Sequence, residues 1–320
     1  MPRARTLSDL GEGRLIDRIA RAARRLEQPG VILGIGDDAA ILRPRPGEDW
    51  VTSTDATVEG VHFRWAEQSA FTIGRRALVS NLSDLAAMGA RPMGFTLALG
   101  APSDLEVARF DGLIRGLLRE AKIHGCPLVG GNLARSAQTS LAISVFGALP
   151  RGRALRRDAL RSGDRLFVTG CLGAAALARA EAEHKGQPIR QLPIPRLEAG
   201  RSLLGLRGRG ACIDVSDGLL ADLGHLLQGR DLGADLDPQS IPLPRGFPRR
   251  CEQLGLDPLA LALSGGEDYE LLFSLRRGVA AAFPASALTR RLGVRVTAIG
   301  TITPGGGISG VPDVAPFLHY

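Results

Sequence analysis

Residues 93–149 read MGFTLALGAPSDLEVARFDGLIRGLLREAKIHGCPLVGGNLARSAQTSLAISVFGAL and carry a strand, a helix and a further strand in succession. Met93 to Leu99 and Ser140 to Leu149 are rich in apolar and β-branched residues, which suits a pleated, half-buried surface. Between them, Ser103-Asp104-Leu105-Glu106 has the form of a capping box, which would satisfy the first free N–H groups of a helix. Phe110, Leu113, Ile114, Leu117, Leu118 and Ala121 follow at helical spacing, and Gly125 and Pro127 stop the run. Asp104 reads as a capping or surface residue, and so does Asp9.

On the N-terminal side, Val51 to Thr54 reads as a short strand ending in polar residues. On the C-terminal side, the basic, irregular stretch Pro150 to Asp164 reads as a boundary, dividing the chain into domains 1–150 and 151–320. Beyond it come a strand at Leu166 to Thr169, an Ala-rich helix at Gly173 to His184 and a loop at Pro188 to Pro195. A short strand at Ala211 to Asp214, an amphipathic helix at Asp217 to Gln228, and strands at Tyr269 to Leu275 and Val294 to Ile302 with a helix between them complete the pattern. This alternation predicts an α/β (α+β) fold with helices packed on sheets. A length of 320 residues suits two domains, each with its own core. No fixed-period repeat or low-complexity segment interrupts them.

Composition excludes several classes. With 44% hydrophobic and 23% charged residues, the chain buries too much to be disordered. It has no run of 18 apolar residues, so no membrane span is expected, and Met1 to Asp9 leads into no apolar signal region. Cys126, Cys171, Cys212 and Cys251 stand far apart with no Cys-x-x-Cys pair, which predicts neither a zinc site nor a disulfide framework, and hence a reducing cytoplasm. The net charge is +7, and of 40 basic residues only Lys122 and Lys185 are lysines. Such a balance can favour nucleic acid or phosphorylated ligands. The arginines are scattered, however, and aromatics are 4%, too few for the stacking residues of a single-strand binder. Arg in place of Lys is also what a GC-rich genome writes. No nucleic-acid partner is expected; one would reveal itself by a steep salt dependence.

Four acidic motifs place carboxylates at strand ends or turns beside Gly, Ser or Thr: Gly34-Ile35-Gly36-Asp37-Asp38-Ala39, Ser53-Thr54-Asp55, Asn81-Leu82-Ser83-Asp84-Leu85, and Ile213-Asp214-Val215-Ser216-Asp217-Gly218. Mg²⁺ takes oxygen ligands and commonly bridges a few carboxylates to substrate phosphates. Asp37, Asp38, Asp55 and Asp84 offer several such ligands from one domain. Without a cation they would repel one another. Taken alone, each Asp is more simply a cap or turn residue, Asp217 above all, because it opens a helix. The joint occurrence favours metal.

Gly130-Gly131-Asn132 follows a strand, and a turn there would expose N–H groups to phosphate oxygens; Gly265-Gly266-Glu267-Asp268 repeats the arrangement. Neither is a P-loop, since no Gly-Lys-Ser/Thr follows. The histidines suggest no acid–base dyad: His62 follows the Asp55 turn and lies near the proposed phosphate site, whereas His124, His184 and His225 fall near helix ends and read as structural. No Gly-x-Ser-x-Gly elbow or Cys–His arrangement is present.

With GEGRLI near residue 11, GIGDDAA at 34, STDATVEGVHF at 53, NLSDLAAMGARP at 81, IDVSDGLLADLGHL at 213 and SGGEDYELLF at 264, the chain resembles the thiamine-monophosphate kinase family over nearly its whole length. The resemblance implies a two-domain fold like that of aminoimidazole ribonucleotide synthetase, with the N-terminal domains of two chains paired in a homodimer. It also implies Mg²⁺-dependent transfer of the ATP γ-phosphoryl group to thiamine monophosphate. Carried over by position, the metal ligands would be Asp37, Asp38, Ser53, Thr54, Asp55, Asp84, Asp214 and Asp217. ATP would meet Gly131, Asn132, Arg157 and Ser216, and the acceptor His62, Glu267 and Phe317, with Asp55, Asp84 and Arg157 carrying the electrostatic work of catalysis.

The chain departs from the family in having Gly130-Gly131-Asn132-Leu133 for the usual Gly-Gly-Asp-Thr, and Arg157-Asp158-Ala159-Leu160 for Arg-x-Gly-Ala. Asn can ligate through its carbonyl oxygen but brings no charge. Alternatives are another kinase or synthetase of the same superfamily, disfavoured by the wording of these motifs, and a weakened nucleotide-binding regulatory homologue, motivated by Asn132.

Overall fold

The structure, a computed structural model, describes residues 5–23, 28–35, 38–312 and 314. Asp37 and Phe317 lie outside the described residues. The chain divides into two units: the first comprises Met1–Leu85, Arg91–Gly152 and Pro188–Leu192, the second Ala86–Ala90, Arg153–Gln187 and Pro193–Tyr320.

The first unit opens with α1 (Glu12–Ala23) and a small antiparallel ribbon of β1 (Val31–Leu33) and β2 (Ile41–Leu42). Next come β3 (Glu48–Val58), α2 (Ala70–Met88, which runs on into the second unit), β4 (Arg91–Ala101), α3 (Val107–His124), β5 (Leu128–Arg135) and β6 (Ser140–Pro150). The four longer strands form one sheet in the order β3-β6-β4-β5, parallel between β4 and β5 and otherwise antiparallel. Alternate residues Leu141, Ile143 and Val145 of β6, with Phe95, Leu97 and Leu99 of β4, are buried, while on the other face Thr52 and Thr54 of β3 and Ala98 of β4 are exposed. One face of the sheet therefore belongs to the core, as the period of two requires.

Helices α2 and α3 approach closely because small residues meet at their crossing. A Cβ on Gly116 would stand 2.1 Å from the Phe71 carbonyl oxygen, and one on Gly74 2.1 Å from that of Leu113. Arg75 of α2 pairs with the buried Glu120 of α3, which also meets His124 at 3.2 Å.

Two expectations for this unit are corrected. The strand expected at Val51 to Thr54 is eleven residues long, because it pairs residue for residue with β6 from Glu48↔Pro150 to Val58↔Ser140. Cross-strand pairing overrides the weak β-propensity of its Asp and Ser residues. The box at Ser103 to Glu106 does not cap α3, whose N-cap is Glu106 with no side-chain bond. Its backbone is instead taken by the N-terminal segment: Ser8 N–H donates to the Ser103 carbonyl at 2.9 Å and Leu7 N–H to that of Leu105 at 3.0 Å. Asp9 does close a turn, accepting the Thr6 N–H at 2.8 Å, and Asp104 is exposed.

The second unit contains β7 (Arg165–Thr169), α4 (Ala174–Lys185), α5 (Leu197–Leu204), β8 (Arg209–Val215), α6 (Leu219–Leu227), β9 (Leu232–Leu236), α7 (Phe247–Glu252), α8 (Pro258–Ser264), β10 (Glu270–Leu275), α9 (Arg277–Ala282), α10 (Ala285–Leu292), β11 (Val296–Pro304) and β12 (Ile308–Ser309). Its sheet runs β12-β9-β11-β7-β10-β8, antiparallel except for β12 on β9. Every residue of β10 is buried, so Leu271-Leu272-Phe273 reads as a continuous apolar run: helices cover both faces. On one side Leu166, Val168, Ile213 and Leu272 join Leu177, Leu223, Phe247 and Leu263 in a single core. On the other, Phe167 stacks on Phe273 with ring centroids 5.5 Å apart.

The helix expected between the last two long strands is two short ones, since Pro284 cannot continue α9 and instead caps α10. Among the described residues no helix is long and apolar enough to cross a membrane, and the four cysteines are free thiols.

Candidate active site

In the first unit the site is built where β3, an edge strand, meets α2. Side chains alternate across a strand. Ser53 and Asp55 engage α2: Ser53 Oγ donates to Asp84 Oδ2 at 2.5 Å, and the Asp55 N–H donates to Asn81 Oδ1 at 3.1 Å. Asn81 is 1% exposed, and its amide donates to the Ala77 carbonyl at 2.9 Å, which fixes the oxygen toward β3. Asn81 and Asp84, three residues apart, share a helix face. Thr54 alternates to the opposite side, where its hydroxyl and that of Ser144 lie 2.7 Å apart, so the side chain of Thr54 does not join Ser53 and Asp55. Asp38 is exposed. His62 accepts the Val58 N–H on Nδ1 at 3.1 Å.

Gly131 and Asn132 do not lie in a turn. They sit inside β5, at the sheet edge opposite β3 and about 14 Å away by strand spacing. Gly131 is needed for packing: a Cβ there would fall 2.1 Å from the Leu97 carbonyl oxygen. Gly130, Gly131 and Asn132 line a pocket whose other walls are Ile16, Ile19, Ile35, Leu97, Leu128 and Leu133. This lining is mostly apolar, and the segment is a strand where a turn was expected.

In the second unit β8 ends at Val215 and the chain turns through Ser216, Asp217 and Gly218 into α6. Asp217 does not cap this helix. Asp222, 2% exposed, reaches back to accept the Ser216 and Asp217 N–H groups at 2.9 and 3.0 Å. Burial, reinforced by the charges of Asp214 and Asp217, pushes Asp222 up to about 8. Ligand atoms of Asp217, Asp222 and His225 lie within 4.8 Å of one another. His225, expected to be structural, therefore faces Asp217. Arg157 is exposed in a one-turn 3₁₀ helix beside β8, where the Arg156 carbonyl accepts the Cys212 N–H at 3.2 Å.

The Gly265–Tyr269 loop is stitched to the same turn. Glu267 N–H donates to the Ser216 carbonyl at 2.6 Å and Tyr269 N–H to that of Val215 at 2.8 Å. Asp214, Ser216, Asp217 and Glu267 are thus gathered within one unit. The donors in both units are oxygens, apart from His225, and in the second unit the carboxylates of Asp217 and Asp222 lie close together. That chemistry fits Mg²⁺, a hard cation that takes oxygen ligands.

The family model for AIR synthase related protein, N-terminal domain, matches residues 36–149. A thiamine-monophosphate kinase from Synechococcus elongatus is 37% identical over 93% of this chain and 90% of its own. The chain belongs to the thiamine-monophosphate kinase family. A solved thiamine-monophosphate kinase from Stenotrophomonas maltophilia K279a superposes with a TM-score of 0.79 at 37% identity, covering 92% of this chain and 96% of that one. A solved AaThiL complexed with AMPPCP and TMP does so with a TM-score of 0.72 at 27% identity, covering 98% of each. The two-unit α/β architecture is therefore the AIR synthase-like fold of this family.

Within that family frame, Asn81, Asp222 and Asp268 were missed by the reading of single motifs. Each lies inside a stretch already quoted for the resemblance. Asn81 stands one helical turn before Asp84, a spacing that marks a shared face. Asp222 and Asp268 are buried carboxylates, at 2% and 8% exposure, that bond only main-chain N–H groups in their own fold, so no partner residue type signals them.

Proposed function

We propose that this chain transfers the γ-phosphoryl group of ATP to thiamine monophosphate, giving ADP and thiamine diphosphate. The observation that carries this reading is the 37% identity to a thiamine-monophosphate kinase along 93% of the chain. The convergence of Ser53, Asp55, Asn81 and Asp84, and of Asp214, Ser216, Asp217 and Glu267, agrees with it.

Mg²⁺, when bound, supplies the positive charge that lets two phosphate groups approach. Asp37, Asp38, Ser53, Asp55 and Asp84 would hold it in the first unit, with any contribution from Thr54 coming through its main chain, and Asp214 and Asp217 in the second. Asn81 keeps Asp55 in register. Arg157, Ser216, Gly131 and Asn132 would bind ATP, the apolar pocket beside Gly131 suiting the base. His62, Glu267 and Phe317 would bind the acceptor. The acceptor phosphate oxygen is already ionised at neutral pH, so the transfer requires no strong general base, and its demand on the protein is alignment and neutralisation. The bond to the leaving ADP oxygen breaks as the bond to the acceptor oxygen forms.

The protein acts as a homodimer in the cytoplasm on this reading. The exposed Thr52, Thr54 and Ala98 on the open face of the first sheet form an uncharged surface that suits pairing with a second copy. The test is product identification after incubation with ATP, Mg²⁺ and either thiamine monophosphate or the acceptors of related synthetases. Thiamine diphosphate as the only phosphorylated acceptor, formed with ADP, supports the reading; ATP binding without turnover of any acceptor supports the regulatory alternative instead.

A further inference from the structure

Among the described residues, the only non-glycine positions with left-handed backbone are Glu267 (φ 58°) and Tyr269 (φ 51°), and both flank Asp268. Gly266, just before them, is also left-handed at φ 63°. Side chains with a Cβ disfavour this region, and such backbone persists only where surrounding bonds over-determine it. The bonds are visible on both sides of the loop. On one side the Glu267 and Tyr269 N–H groups are tied to the Ser216 and Val215 carbonyls. On the other, Asp268 turns inward, 8% exposed, and accepts the Gly173 N–H at 2.6 Å and the Ala175 N–H at 3.1 Å.

Those two N–H groups open α4. Its own N-cap residue is Gly173, in left-handed backbone at φ 80°, which has no side chain to offer. A Cβ on Gly173 would strike Phe247 at 2.6 Å, so no local cap can be supplied there. Asp268 therefore caps the helix from a distance of more than ninety residues along the chain. One turn beyond Ala175 on the same helix, Arg179 donates to the Glu267 carboxylate at 3.3 Å and to the Gly265 carbonyl at 3.4 Å. The helix thus grips the loop at its backbone and at the Glu267 side chain.

We propose that Asp268 is a positioning residue for the phosphoryl acceptor: by capping α4 from within the loop it locks the left-handed backbone at Glu267 and so sets the Glu267 carboxylate in the one place from which it meets thiamine monophosphate. This rests on the kinase reading and on the role of Glu267 in it. Asp268 itself touches neither reactant.

The experiment compares wild-type protein, Asp268→Asn, Glu267→Gln and the double variant, with KM and kcat measured separately for thiamine monophosphate and ATP. Asp268→Asn keeps the shape and one acceptor, so it should fold; circular dichroism checks this, and amide hydrogen exchange reads the Glu267 and Tyr269 N–H groups directly. The expected result is a rise of about tenfold in KM for thiamine monophosphate in Asp268→Asn, with KM for ATP and kcat within about threefold, and no added loss in the double variant beyond Glu267→Gln alone. Faster exchange at Glu267 and Tyr269 should accompany it. A merely structural cap would raise both KM values together, or add its full penalty on top of Glu267→Gln; either result, or unchanged exchange in the loop, overturns the proposal while leaving the kinase reading intact. Absence of any turnover of thiamine monophosphate by the wild type overturns both.

Discussion

Ser53 Oγ donates to Asp84 Oδ2 across 2.5 Å and thereby ties the edge strand β3 to helix α2. The bond helps to orient the Asp84 carboxylate, and on the proposed function that carboxylate is a metal ligand. Replacing Ser53 with Ala should leave the fold in place, costing about 1 kcal/mol for one lost hydrogen bond. Turnover should fall more than stability suggests, on the order of tenfold, because a misplaced ligand acts in the transition state. Steady-state kinetics beside a melting curve separates the two effects.

Asn81 makes the second link, its oxygen accepting from Asp55 and its amide held by Ala77. It is buried, and Asn81→Ala removes both bonds. The expected loss is about 2 kcal/mol in urea denaturation, together with reduced Mg²⁺ affinity. An unchanged midpoint contradicts the assigned role.

The close crossing of α2 and α3 depends on Gly116. A methyl group there would meet the Phe71 carbonyl oxygen, which belongs to backbone and cannot swing aside. Gly116→Ala should cost about 3 kcal/mol despite its favourable helix propensity, the opposite sign to that expected of a Gly→Ala change in an open helix. Thermal denaturation reads it directly.

Much of this was legible in the residues themselves. The alternation in Ser140 to Leu149 and the 3–4 spacing from Phe110 to Ala121 identify β6 and α3, because burial on one face leaves a period in the sequence. The boundaries were less so. The length of β3 is set by its partner strand, and the Ser103 box was overruled by the N-terminal segment that takes its carbonyls. At the site, Ser53, Asp55 and Asp84 could be singled out because several motifs place carboxylates beside Gly, Ser or Thr, and their joint occurrence favours a metal. The separation of Asn132 from them could not, since strand order within a sheet leaves no local trace. Asp222 and Asp268 answer to backbone N–H groups brought close by folding, and no side-chain pattern announces such partners.

Asp268 gives a pH signature. Burial, with the charge of Glu270 nearby, raises its carboxyl from 3.8 to about 7, against the pull of the α4 N–H groups. The folded state then holds the proton more tightly than the unfolded chain. Its contribution to stability is fully present below about pH 4 and is lost as pH rises to about 7, above which it stays constant. The wild type minus Asp268→Asn difference in denaturation midpoint should decline across that window. A flat difference would contradict the raised value.

The claim on which the rest depends is that Asp55 and its neighbours act through a divalent cation. Phosphoryl transfer from ATP to thiamine monophosphate, followed in wild type and Asp55→Ala across a Mg²⁺ titration that begins in chelator, bears on it without intermediaries. Wild-type turnover should be absent in chelator and saturate with Mg²⁺, while Asp55→Ala, with an unaltered circular dichroism spectrum, should retain less than about a tenth of the wild-type rate, a barrier increase of about 1.4 kcal/mol or more. Turnover in chelator, or an Asp55→Ala rate above that tenth, would contradict it.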